Sequence, residues 1–231
     1  MELQQFTQQE VYEGQAKFVS NVYSWMSGAL ALTGIVAMGI ASQPDLINAV
    51  MSNRILFYGL LIGEFALFMY LIGAINRMSA STAIASFVTY AALNGVTLSV
   101  IFTHYTSSSI AATFFATGGT FAVMSFLGYR TKRDLSKLGG LLYMAVIGLI
   151  IATVVNIFWV DSTLYWITTY LGVFIFVGLT AYNAQRIKQM SYQVIDGTED
   201  ARKMAVLGSL IIYLDFINLF VYLLRFFGRR N

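Results

Sequence analysis

Long apolar blocks separated by short polar or charged intervals set the plan of this chain. From Phe18 to Pro44 there are 27 positions without a charge, and residues 22–41 fill a first span that Pro44 and Asp45 close. A second span covers residues 55–75 and is interrupted only by Glu64. Between Arg77 and Arg130 lie 52 uncharged residues, enough for a third and a fourth span, divided by the polar stretch 103–109. The fifth covers 138–160, the sixth 163–183 and the seventh 204–227, the last broken by Asp215. Blocks of this length match the ~20 residues that a helix needs to cross a hydrocarbon core. None shows the two-residue alternation of a barrel strand, and lipid leaves the backbone only helices or closed barrels. The pattern predicts an all-α integral membrane protein. Its domain plan is a polar segment 1–18, a transmembrane domain 19–227 and a tail 228–231.

Composition agrees and narrows the chemistry. Hydrophobic residues make up 58% of the chain, charged residues only 11%, and mean hydropathy is +0.69; soluble domains carry about 25% charged residues. The net charge of +3 comes from short basic clusters beside the spans, which reads as topology rather than nucleic-acid binding. With seven spans, Lys17, Arg77, Arg130, Lys132, Arg133, Lys137, Arg186, Lys188, Arg202 and Lys203 share one side, so the amino terminus is expected in the cytoplasm. Arg54, Arg225, Arg229 and Arg230 lie opposite. The tail bases alone would favour a re-entrant last segment, whereas its length of 24 residues favours a crossing. Residues 184–203 are expected to form a surface loop, with an acidic turn at 196–200. The acidic amino terminus, with Glu2, Glu10 and Glu13, does not resemble a cleaved signal. The absence of cysteine excludes disulfides and thiolate sites, and the single His104 excludes a multi-histidine metal centre. With no nucleophile elbow and Gly118-Gly119 inside a span, enzyme chemistry has no foothold. No cofactor is expected.

Two carboxyls stand inside spans. An acid at the bilayer centre costs ~2.5 to 3.5 kcal/mol even on insertion scales, so Asp215 and Glu64 are the candidate functional residues. Asp215 lies eleven residues past Met204, about 16 Å deep at ~1.5 Å per residue. Gly208, Ile211, Asp215, Asn218, Tyr222 and Arg225 share a helical stripe expected to face protein. Asn94 and Asn183 are further intramembrane polar groups. Each of these residues could instead serve helix packing through hydrogen bonds. If both carboxyls faced one cavity they would form a proton-responsive pair.

The segments Gly178-Leu179-Thr180-Ala181-Tyr182-Asn183-Ala184-Gln185 and Leu207-Gly208-Ser209-Leu210-Ile211-Ile212-Tyr213-Leu214-Asp215-Phe216-Ile217-Asn218-Leu219-Phe220 resemble the signature of the Bax inhibitor family. The block Gly128-Tyr129-Arg130-Thr131-Lys132-Arg133-Asp134-Leu135-Ser136 is similar to the bacterial inner-membrane branch. The resemblance implies a seven-helix bundle with the last helix central, in the inner membrane, and a pH-sensitive calcium leak. It also implies a pair of hydrogen-bonded aspartates that senses pH and gates the pore. The second aspartate falls on Asp215. The first falls on Asn183, whose amide cannot titrate, so coupled protonation cannot arise between the two. Asn183 can still donate a hydrogen bond to Asp215. Depth counting places Glu64 nearer to Asp215 than Asn183 is, which makes Glu64 a candidate for the missing carboxyl. The expected ions are calcium or protons, and Asn94, Asn218 and Arg225 are supporting polar residues. The resemblance equally allows a regulatory protein that binds a membrane protease or cell-death machinery. An aspartyl protease would need a second intramembrane aspartate, and no span supplies one.

Overall fold

A computed structural model describes residues 8–194 and 197–230. Glu2 of the polar amino terminus, Asp196 of the acidic turn and Asn231 of the tail lie outside the described residues. The described chain is all-α. It comprises α1 (Gln8–Ala41), α2 (Pro44–Ser52), α3 (Arg54–Ala74), α4 (Ala80–Leu98), α5 (Ile101–His104), α6 (Ser107–Arg130), α7 (Ser136–Phe158), α8 (Ser162–Ser191) and α9 (Glu199–Phe227). Seven stretches are long and apolar enough to cross a membrane, as the pattern predicts; α4 and α5 together make one of them.

Helix starts follow local chemistry. Asn53, Ser79 and Thr106 are in extended conformation and accept from the backbone N–H three residues on, at 3.0, 3.1 and 3.4 Å. This satisfies donors that the first turn of a helix leaves free. Pro44 does more than close the first span: it opens α2, where its fixed φ suits a first helical position and its missing N–H costs nothing.

The structure moves several boundaries. Among the described residues α1 runs from Gln8, so residues 8–18 of the polar segment are helical and continuous with the first span. α8 runs on to Ser191 and α9 starts at Glu199, which shrinks the expected loop 184–203 to the few residues between them. The charges at Arg186, Lys188, Arg202 and Lys203 lie within helix and do not mark where it ends. The start of α9 carries the i,i+3 pair Lys203–Asp200 at 2.8 Å. The turn itself uses Gly197 at φ 79°, a conformation that a side chain would strain. Glu199 is not a loop acid; its Oε1 accepts from the backbone N–H of Ala80 at 3.0 Å, beside the α4 amino terminus. The last segment is an unbroken helix of 29 residues, roughly 43 Å at ~1.5 Å per residue, with no interruption for a re-entrant loop to use.

The described residues form two compact units. One takes the chain up to Ile101 together with Ile187–Leu210; the other takes Phe102–Arg186 and Ile211 onward. In the first unit α1 packs on α4. Thr33 donates to the Ala91 carbonyl at 2.8 Å, and Gly95 lets the helices close up, because a Cβ there would lie 2.7 Å from the Thr33 carbonyl oxygen. Ser209 donates to the Val22 carbonyl at 2.9 Å, tying the start of α9 to α1. In the second unit Leu149, Phe176, Leu179, Leu219, Tyr222 and Leu223 form an apolar core, and the Phe121 and Phe216 rings meet edge to face at 5.5 Å.

Gly95→Ala is expected to destabilise the protein by about 1 to 3 kcal/mol through overpacking. Gly59→Ala, with nothing within 4 Å of the added Cβ, serves as its neutral control. Unfolding of both variants in mixed detergent micelles checks this.

Candidate functional site

Asp215 lies sixteen residues into α9 and is 4% exposed. Its hydrogen-bond partner is Asn183 of α8, whose Nδ2 donates to Oδ2 at 2.8 Å; Asn183 is itself 1% exposed. Depth counting misplaced Asn183 at the end of its helix. Because α8 continues through Ser191, Asn183 stands two turns inside that end, where it meets Asp215. Tyr143 of α7 completes the arrangement, its hydroxyl donating to Asn183 Oδ1 at 3.0 Å. An ionised Asp215 only accepts, which turns the amide nitrogen toward the acid and leaves its oxygen to the phenol. The Tyr143 ring packs edge to face on Tyr182 at 6.0 Å, and the Tyr182 ring fills the space a side chain on Gly139 would need. All five residues belong to the second unit.

Glu64 belongs to the first unit. α3 is apolar nearly throughout, and among its residues only Glu64 and Leu71 are buried. Asn94 Nδ2 donates to Glu64 Oε2 at 3.1 Å, and the Thr97 hydroxyl donates to Oε1. Thus the two carboxyls have separate partner sets, each neutral. Thr97 was not singled out in the sequence, although it follows Asn94 by three residues on α4 and so shares its face. Tyr143 gave no signal at all, being one of 14 tyrosines in an aromatic-rich chain.

The supporting residues divide. Asn94 joins Glu64, whereas Asn218 Nδ2 turns back to the Leu214 carbonyl of its own helix at 2.8 Å. Arg225 lies over the rings of Tyr222 and Tyr165, at 5.2 and 5.9 Å. None of the expected α9 stripe is exposed: Gly208, Asp215 and Tyr222 are buried, and Ile211, Asn218 and Arg225 half-buried. The tail bases that complicate the charge count are held in place. Arg230 donates to the Tyr165 hydroxyl at 3.2 Å, while the Arg229 N–H donates to Ser109 Oγ at 2.9 Å and its carbonyl accepts from Thr106 at 3.1 Å. Gln185, from the same segment as Asn183, is buried and grips the preceding loop. It accepts from the Leu135 N–H at 2.9 Å and donates to the Arg133 carbonyl at 2.8 Å. In that loop the Ser136 side chain and N–H hold the Asp134 carboxyl below its usual range.

Seven apolar helices with acids turned inward against amides define a polytopic membrane protein. The family model described as Inhibitor of apoptosis-promoting Bax1 matches residues 15–231. The chain is 46% identical over 220 residues to Inner membrane protein YbhL of Escherichia coli K12, covering 94% of each chain. A protein of Borreliella burgdorferi is 45% identical over 215 residues, 93% of each chain. A membrane protein of Streptococcus pyogenes serotype M3 is 35% identical over 228 residues, 98% of this chain and 97% of its own. This chain therefore belongs to the Bax inhibitor family.

Tyr143→Phe removes the hydroxyl that donates to Asn183 Oδ1 and leaves a buried carbonyl unpaired. A loss of about 1 to 2 kcal/mol is expected. Denaturation in micelles measures it, and Tyr143→Phe in an Asn183→Ala background should cost much less.

Proposed function

We propose that this protein is a pH-sensitive leak for calcium in a bacterial inner membrane, gated around Asp215. One observation carries the reading: a buried acid near the middle of an unbroken apolar helix is met by a neutral amide and by no base among the described residues. Asparagine at 215 would supply comparable packing without the ~2.5 to 3.5 kcal/mol cost of an intramembrane carboxylate. What only the acid supplies is a charge to attract a cation and a proton that can leave. Membership of the Bax inhibitor family, and likeness to a protein named for the inner membrane, support the same reading. Because Asn183 does not titrate, this pair holds one ionisable group, and its response to pH is a single step rather than the two steps of coupled carboxyls.

Calcium flux into dye-loaded proteoliposomes, measured across a pH series, tests this. The parent is expected to follow a one-step curve. Asp215→Asn should flatten the curve and lower flux by about tenfold, corresponding to ~1.4 kcal/mol. Asn183→Asp, by placing two carboxyls on one hydrogen bond, should spread the response into two steps. Flux and pH dependence in Asp215→Asn that coincide with the parent's would remove Asp215 from the mechanism.

A further inference from the structure

We infer that Glu64, Asn94 and Thr97 form a binding site for a small monovalent cation of the sodium type, built from residues that take no part in the Asp215–Asn183 pair.

The argument starts from Glu64. It is 7% exposed on a helix that otherwise turns only Leu71 inward, and both of its oxygens accept from neutral donors, Asn94 Nδ2 and the Thr97 hydroxyl. No basic side chain among the described residues pairs with it, so an ionised Glu64 has no counter-charge supplied by the protein. Asn94 adds a second deficit. It is 8% exposed, and its Oδ1 has no hydrogen-bond donor. An unpaired buried acceptor costs about 1 to 3 kcal/mol. That oxygen sits on the same amide whose nitrogen donates to Glu64, so the orphan acceptor and the carboxylate are near neighbours. The Thr97 oxygen retains lone pairs after donating its proton.

Carboxylate, amide carbonyl and hydroxyl are hard oxygen donors, which suit alkali and alkaline-earth ions and give no preference for transition metals. Charge then decides between the two groups. One carboxylate is neutralised by one monovalent ion, whereas a divalent ion would leave a net positive charge in a low-dielectric setting. α4 gives way to α5 just beyond Thr97, across Ser99 and Val100; Ser99 is fully buried there and its N–H bonds the Gly95 carbonyl at 3.0 Å. Of the helices packed on α3 within this unit, α4 presents Tyr90, in electrostatic contact with Glu64, and α2 carries Asp45; α3 itself carries Arg54, Tyr58 and Tyr70.

The test uses the purified full chain in detergent at mildly alkaline pH, comparing sodium chloride with choline chloride at equal ionic strength. Sodium at ten times its Kd is expected to raise the unfolding midpoint by about 3 to 6 °C over choline. Glu64→Gln should abolish the rise and Thr97→Val should weaken sodium binding severalfold. Asp215→Asn should keep the full rise, so failure of the leak reading and failure of this site are distinguishable. An equal midpoint in sodium and choline for the parent overturns the proposal, as does an undiminished rise in Glu64→Gln or a larger response to calcium than to sodium. If Glu64→Gln does not fold, Asn94→Asp decides: a second carboxylate should move the preference to calcium, and an unchanged sodium response refutes the assignment.

Discussion

An acid carried into hydrocarbon finds no water, so protein must supply every hydrogen bond it needs, and in this molecule that requirement fixes how helices face one another. Lipid tails are as apolar as leucine, and burying one more leucine against a neighbouring helix gives a span little reason to turn one way rather than another. α3 illustrates the point. Almost every side chain on it would be equally content in lipid, and its orientation is set by Glu64 meeting Asn94 and Thr97. Asp215 does the same for α9 against α8, and Tyr143 extends the connection to α7.

Around these polar anchors, close approach of backbones supplies the packing that hydrophobicity cannot. Gly95 brings α4 onto the Thr33 carbonyl, and Gly139 makes room for the Tyr182 ring beside the amide–acid pair. Hydroxyls reinforce the contacts by bonding main chain on a neighbouring helix, as Thr33 does with Ala91 and Ser209 with Val22. The polar groups choose the neighbours; the small residues let them come near enough to hold.

Much of this was legible in the residues. The number and approximate positions of the spans followed from apolar block length, since the bilayer imposes that length directly. Helix beyond the apolar runs was not legible, because Arg186 and Arg202 bound those runs while the hydrogen-bonded spiral continues past them. The short α2 escaped for a related reason: Pro44 reads as a stop until the chain that follows is seen to start there. Asn183 and Asp215 were marked by the family-like segments, yet their contact could not be derived by counting depth, since the count assumed that the sixth helix ended where its apolar run did. Tyr143 acts through three-dimensional proximity alone, and no spacing announces it among so many tyrosines. Thr97, by contrast, lies one helical step of three from Asn94 and was legible only once Asn94 was known to meet Glu64.

Gln185 has a consequence for how such a chain can diverge. Both of its bonds are to main chain, at Arg133 and Leu135, so it holds the path of the connection before α7 without reading any side chain there. The basic residues of that connection are therefore free to drift, retune their charge or follow a different lipid composition. The amide that clasps them is not, since losing it removes both ties between that connection and α8 at once.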